Sequence, residues 1–89
     1  MKAIVTVVGK DQVGIIAAVC IRLAEYNVNV LDISQTVMQG YFTMMMVVEF
    51  SCCKLPLADL AKKLEEKGKE MGLSILLQRE DIFEAMHRV

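Results

Sequence analysis

Between Tyr41 and Phe50 every second residue is large and apolar: Phe42, Met44, Met46, Val48 and Phe50, with Tyr41, Thr43 and Glu49 among the positions between them. Side chains on an extended chain alternate between two faces, so this period describes a strand with one face in a core. A helical stripe would instead repeat at three and four. Any fold for this chain has to cover that face. Just upstream lies a second run, Val28 to Met38, in which Leu31, Ile33 and Val37 take one side and Asp32, Ser34 and Thr36 the other. Gln39-Gly40 separates the two runs, and a two-residue link containing Gly between period-two segments signals a β-hairpin.

The segments around the hairpin read as one strand and one helix on each side. Ala3 to Val8 is rich in β-branched residues and apolar on both faces, as a central strand is, and it ends at Gly9. Ile15, Ile16, Val19, Cys20, Leu23 and Ala24 then recur at helical spacing opposite Arg22 and Glu25. Asn27, tolerant of positive φ, stops that helix. Pro56 suits the first turn of a second helix, whose stripe of Leu57, Leu60, Ala61, Leu64 and Met71 lies opposite Asp59, Lys62, Lys63, Glu65 and Glu66, and Gly72 ends it. Leu73 to Gln78 forms a fourth strand with Leu73, Ile75 and Leu77 inward. Asp81 then caps a short tail helix carrying Ile82, Phe83 and Met86.

The order is βαββαβ with a short C-terminal helical tail. It predicts an α+β, ferredoxin-like fold, an antiparallel sheet with two helices on one face. One domain spans residues 1–89, with the core in 1–80 and the tail in 81–89, and there is no repeat or linker. In this topology the second strand lies at a sheet edge, yet it is long and carries no Lys or Pro to discourage pairing. It is therefore expected to pair with its copy in a homodimer. A domain this small buries only about two thirds of its unfolded surface, which also favours self-association. Met45, Val47 and Leu76 fall on the face away from the helices, more apolar material than a solvated face carries, and the tail is expected to cover it.

Composition narrows the functions. Ten Lys and Arg are offset by eleven Asp and Glu with no basic run, so direct nucleic-acid binding is not expected. RNA-binding sheets also need exposed aromatics, whereas Phe42 and Phe50 are spaced for the core. The longest unbroken apolar stretch, Ile15 to Ile21, is far short of the roughly 20 residues of a membrane span. The run after Lys2 is diluted by Thr6 and stops too early for a signal peptide, so a cytoplasmic location is expected. Cys20, Cys52 and Cys53 are odd in number and two are adjacent, poor geometry for a disulfide and consistent with a reducing compartment. There is no CxxC, and Met44-Met45-Met46 alternate between faces as packing residues do, so no metal is expected. His87 is the only histidine and stands near the C-terminus, and Cys20 falls on a buried stripe. A phosphate-handling enzyme on this topology would want an Arg near the first loop, which offers only Lys10. The chain is therefore expected to be no enzyme and to need no cofactor.

The remaining feature is Gly9-Lys10-Asp11-Gln12-Val13-Gly14, joining the first strand to the first helix. One reading is structural: Asp11 caps the helix and Gly14 lets the loop approach a neighbouring backbone. The other is functional: free N–H groups at the helix start hold a small anion such as an amino-acid carboxylate, while Asp11 accepts the ligand's ammonium group. The two roles are compatible.

This loop with Ile15, the Val28-Asn29-Val30 entry to the second strand, and Asp32-Ile33-Ser34-Gln35-Thr36, in this fold order, resembles the ACT domain, a regulatory module that often binds amino acids. The resemblance covers nearly the whole chain. It is closest to small stand-alone members similar to the glycine cleavage system repressor, and the ending Ile82-Phe83-Glu84-Ala85-Met86 also resembles theirs. It implies an effector at a subunit interface, with Asp11, Gln12, Val13 and Gly14 on one side and Asn29 and Asn27 on the other. Asn29 also has a local reading, a polar residue satisfying backbone at a turn. Many members have Pro where this chain has Val13, and some serine-binding members have Asn where it has Asp11. The expected function is thus a dimeric, amino-acid-binding regulatory protein controlling amino-acid metabolism or its transcription. It would act through an unidentified protein partner, since 89 residues leave no space for an output domain. The alternative is a ligand-free interaction module that docks on an enzyme or regulator.

Overall fold

The computed structural model describes residues 1–81. The elements run β1 (Lys2–Lys10), α1 (Ile15–Glu25), β2 (Asn29–Met38), β3 (Tyr41–Glu49), α2 (Leu57–Met71) and β4 (Ser74–Arg79). The sheet order is β2-β3-β1-β4 and every pairing is antiparallel, the ferredoxin-like topology the sequence predicts. The expected tail helix with Ile82, Phe83 and Met86, together with His87, lies outside the described residues. None of the described helices is long and apolar enough to cross a membrane.

The core forms between the helices and one face of the sheet. Ala3, Val5 and Val7 of β1, Met44, Met46 and Val48 of β3, and Ile75 and Leu77 of β4 supply the sheet side. Ile15, Val19 and Leu23 of α1, with Leu60 and Leu64 of α2, close over them, each almost wholly removed from water. The hairpin between β2 and β3 turns on Gln39 and Gly40, both at positive φ (52° and 82°), which matches the right-handed twist of the flanking strands. At the far end of α2, Gly72 adopts φ 72°, and the Leu73 N–H returns to the Gly68 carbonyl at 2.7 Å.

Three local expectations change. Gly14, not Asp11, occupies the N-cap of α1, at φ 88° and with no side-chain cap. A Cβ at Gly14 would meet nothing within 4 Å, so this glycine serves its backbone angle and not a close approach. Pro56 stands one residue ahead of α2, its carbonyl accepting from the Asp59 and Leu60 amides at 3.0 Å. The third change is in β2. Val30 pairs with Val48 and Asp32 with Val47, leaving Leu31 as the additional residue of a bulge. The helix-facing row is therefore Val30, Ile33, Gln35 and Val37, opposite Val48, Met46, Met44 and Phe42, while Asp32, Ser34 and Thr36 face the other way. The helices leave β2 uncovered, and all of it apart from Val30 is exposed.

Where β3 ends, the Met1 ammonium bonds to Glu49 Oε1 at 2.7 Å, and the Ser51 amide donates to the same oxygen at 2.8 Å. The ammonium bond first, then the two bonds from Ser51, hold the Glu49 carboxyl down from 4.5 to about 2. A carboxylate depressed in the folded state stabilises it above the unfolded value, and that contribution disappears as pH falls through the folded one. In thermal melts, the gap between wild type and Glu49→Gln should accordingly close between pH 4.5 and about 2. It should also narrow with added salt, because the pair is exposed. A gap independent of pH would refute this.

Candidate functional site

The segment from Lys10 to Gly14 is held at two points. The Asp11 amide donates to the Gly40 carbonyl at 2.8 Å, tying the loop to the β2–β3 turn. On the other side Gln12 Nε2 donates to the Met71 carbonyl at 2.8 Å, satisfying one of the carbonyls that the end of α2 leaves without a helical partner. Gln12 is thus a brace between the loop and α2. Val13 projects fully into solvent, and Gly14 turns the chain into α1, accepting the first helical bond from the Ala18 amide at 2.9 Å.

Between this loop, the opening turn of α1 and the distal half of β2 lies a cleft of about 410 Å³. Phe42 and Val37 give it an apolar base, and Ile15, Ile16 and Ala17 form the helix wall. Asp11 and Gln12 stand on the loop side, and Gln35 and Thr36 on the strand side. The amides of Ile15, Ile16 and Ala17 have no acceptor within the helix, so the positive end of the helix dipole faces this region. Next to it stand one carboxylate, two carboxamides and a hydroxyl. That set can bind a small zwitterion, with the anionic end at the helix amides and the cationic end at Asp11. It offers no nucleophile with an adjacent base. Among the described residues no three His, Cys, Asp or Glu side chains cluster to hold a metal ion.

Of the residues expected at the site, Asp11, Gln12 and Gly14 line this cleft, and Val13 stands beside it on the same loop. Asn27 and Asn29 do not line it. They sit beyond the opposite end of α1, whose 11 residues span about 16 Å. Asn27 takes φ 60° where the helix ends, and Asn29 opens β2 opposite Glu49. A single chain does not bring the two groups together. The motifs of the sequence do not single out the strand-side residues Gln35 and Thr36 as site residues. The signal that could find them is Gln35 itself: once the bulge at Leu31 is placed, it is the one polar side chain in the helix-facing row of Val30, Ile33, Gln35 and Val37.

Comparison with known proteins agrees with this architecture. The family model for the ACT domain matches residues 2–78. A UPF0237 protein of Clostridium acetobutylicum is 55% identical over 89 residues, covering all of both chains. The solved ACT domain protein of Streptococcus pneumoniae is 48% identical with a TM-score of 0.83, covering 98% of each chain. A putative glycine cleavage system transcriptional repressor shares the fold at a TM-score of 0.74 and 21% identity, over 88% of this chain and 44% of its own. With its βαββαβ order, its sheet and the family match along nearly its full length, the chain belongs to the ACT domain family.

Proposed function

We propose that this protein is a non-catalytic, cytoplasmic, dimeric sensor of a small amino acid, acting in the control of amino-acid metabolism or its transcription. The ACT domain is a regulatory ligand-binding fold. The observation that carries the finer reading is the cleft itself, where the start of α1 and the uncovered β2 meet around Asp11 and Gln35. In this reading the effector's carboxylate takes the free amides of α1 and its ammonium group takes Asp11. Gln35 and Thr36 contact its side chain, and Asn27 and Asn29 reach the cleft only from a second copy. What supports the dimer is β2, where Ile33 and Val37 remain 39% and 54% exposed on an edge strand that has neither Lys nor Pro. Because the loop is fastened to the Gly40 turn and through Gln12 to α2, a ligand there bears on both. An effector that binds one arrangement of the two chains more tightly shifts the population towards it, and a protein partner reads the result.

Titration calorimetry of the protein with each of the twenty amino acids tests this. At least one should bind in the millimolar range or tighter. Asp11→Ala should abolish that heat, and Gln35→Ala should change which amino acid binds best. No heat from any of them at millimolar concentration refutes sensing.

A further inference from the structure

β4 borders the sheet on the side away from β2 and is its second edge. Its pairs with β1, from Val8 with Ser74 to Ala3 with Arg79, keep one register with no bulge. On a strand paired along one side only, every second residue turns its N–H and C=O outward. Among the described residues, Ser74 to Leu77 make no backbone bond on that outer side, and the segment has no Lys or Pro. Nothing in it discourages a further strand. The edge does not face open solvent, however. α2 turns at Gly72 and runs back along β4, with Gly68 against Leu73 and Ile75. Between helix and edge lies a groove of about 460 Å³. Leu73 and Ile75 line its floor, and Glu65 and Lys69 its helix wall. Leu76, 52% exposed, stands at its rim on the open face of the sheet. The floor begins two residues after Met71, whose carbonyl Gln12 holds at 2.8 Å, so this groove and the Asp11 cleft share the end of α2.

We propose that the β4 edge takes an extended segment of another protein as a fifth strand, antiparallel to β4, with a basic and an acidic residue turned towards α2 and an apolar one between them beside Leu76. The outward backbone groups of β4 are matched by an extended backbone, which supplies donors and acceptors at the same period. The charges set the sequence. Lys69 lies near the start of β4 and Glu65 one helical turn further along it, about 6 Å away, close to the roughly 6.7 Å between alternate residues of a strand. An incoming antiparallel strand therefore meets Glu65 with its basic residue first and Lys69 with its acidic residue two positions later. Lys69 and Glu65 now pair only with each other, at 3.6 Å and well exposed, an arrangement that contributes little and is readily exchanged. The stems of the two incoming side chains cover Leu73 and Ile75. A second copy is excluded by closure, a step that rests on the β2 dimer proposed above: two-fold pairing at β2 and again at β4 would never close and would build an open filament.

The probe is a fluorescein-labelled peptide of one-letter sequence TVRVEVT, titrated with the full-length protein and followed by anisotropy. Binding should saturate, and the charge-swapped peptide TVEVRVT should bind at least tenfold more weakly. The double variant Glu65→Lys, Lys69→Glu should reverse that preference; both side chains are exposed, so the fold tolerates the change. Methylating the peptide's backbone nitrogens one at a time should weaken binding at every second residue and leave the others unchanged, the signature of a strand paired along one side. Leu76→Lys should weaken binding several-fold without changing the far-UV spectrum. Sedimentation of the protein without peptide decides the β2 dimer separately, and Ile33→Lys with Val37→Lys should leave peptide binding intact. No saturable binding at millimolar peptide, methylation effects without the two-residue period, or a charge preference that the double variant does not reverse would each overturn the proposal. So would an oligomer that Leu76→Lys breaks up, because β4 would then join copies of this chain.

Discussion

With the β2 pairing proposed above, the wild type is expected to sediment as a dimer and an Ile33→Lys, Val37→Lys double variant as a monomer at the same concentration, with association weakened by about a hundredfold or more. Both residues lie in the helix-facing row of β2, and both are substantially exposed in the single chain. Folding of one protomer therefore tolerates the change. Pairing of two does not, because it loses the apolar burial and brings like charges together across the symmetry axis. The far-UV spectrum should be unchanged. A variant that remains dimeric would place the junction elsewhere.

Gly68→Val should lower stability by about 3 kcal/mol, roughly 15 °C in Tm for a domain of this size. Gly68 is the buried point where α2 lies against the start of β4. A Cβ there would stand 2.8 Å from the Leu73 carbonyl oxygen and 2.9 Å from Ile75 Cγ1. The side chain can turn away, but the carbonyl is backbone and is fixed by its place at the head of β4. The helix must then lift off the sheet, disturbing the 2.7 Å bond from the Leu73 amide to the Gly68 carbonyl. Gly68→Ala should cost less, since the helix gains about 1 kcal/mol of propensity against the same crowding. Denaturant unfolding measures both, and an unaffected Gly68→Val protein would show that α2 and β4 are not in close contact.

The fold is legible in the sequence because its elements have clean periods. Phe42, Met44, Met46 and Val48 alternate without interruption, and Gln39-Gly40 and Gly72 stand where the backbone needs positive φ. The site is only half legible. The loop from Lys10 to Gly14 is conspicuous, but the side chains facing it come from β2, more than twenty residues later, and only the sheet order brings them near. The bulge hides them further. Leu31 extends the apolar pattern of β2, and nothing in its chemistry marks it as the unpaired residue. The cap is misplaced by sequence reasoning because Asp11 is the better capping side chain. Yet its amide is committed to Gly40, and the left-handed turn into α1 falls on Gly14. Gln12 shows the same limit, since its bond to Met71 joins parts of the chain 59 residues apart.

The most direct test of the central claim is the dimer dissociation constant, determined by sedimentation equilibrium with and without the amino acid that calorimetry selects. A ligand held between the Asp11 loop of one copy and the β2 start of the other must tighten their association, by the same factor that dimerisation tightens its binding. The account predicts a several-fold tighter dimer for the wild type and no change for Asp11→Ala. A monomer at every concentration, or a dimer indifferent to every amino acid, would contradict it.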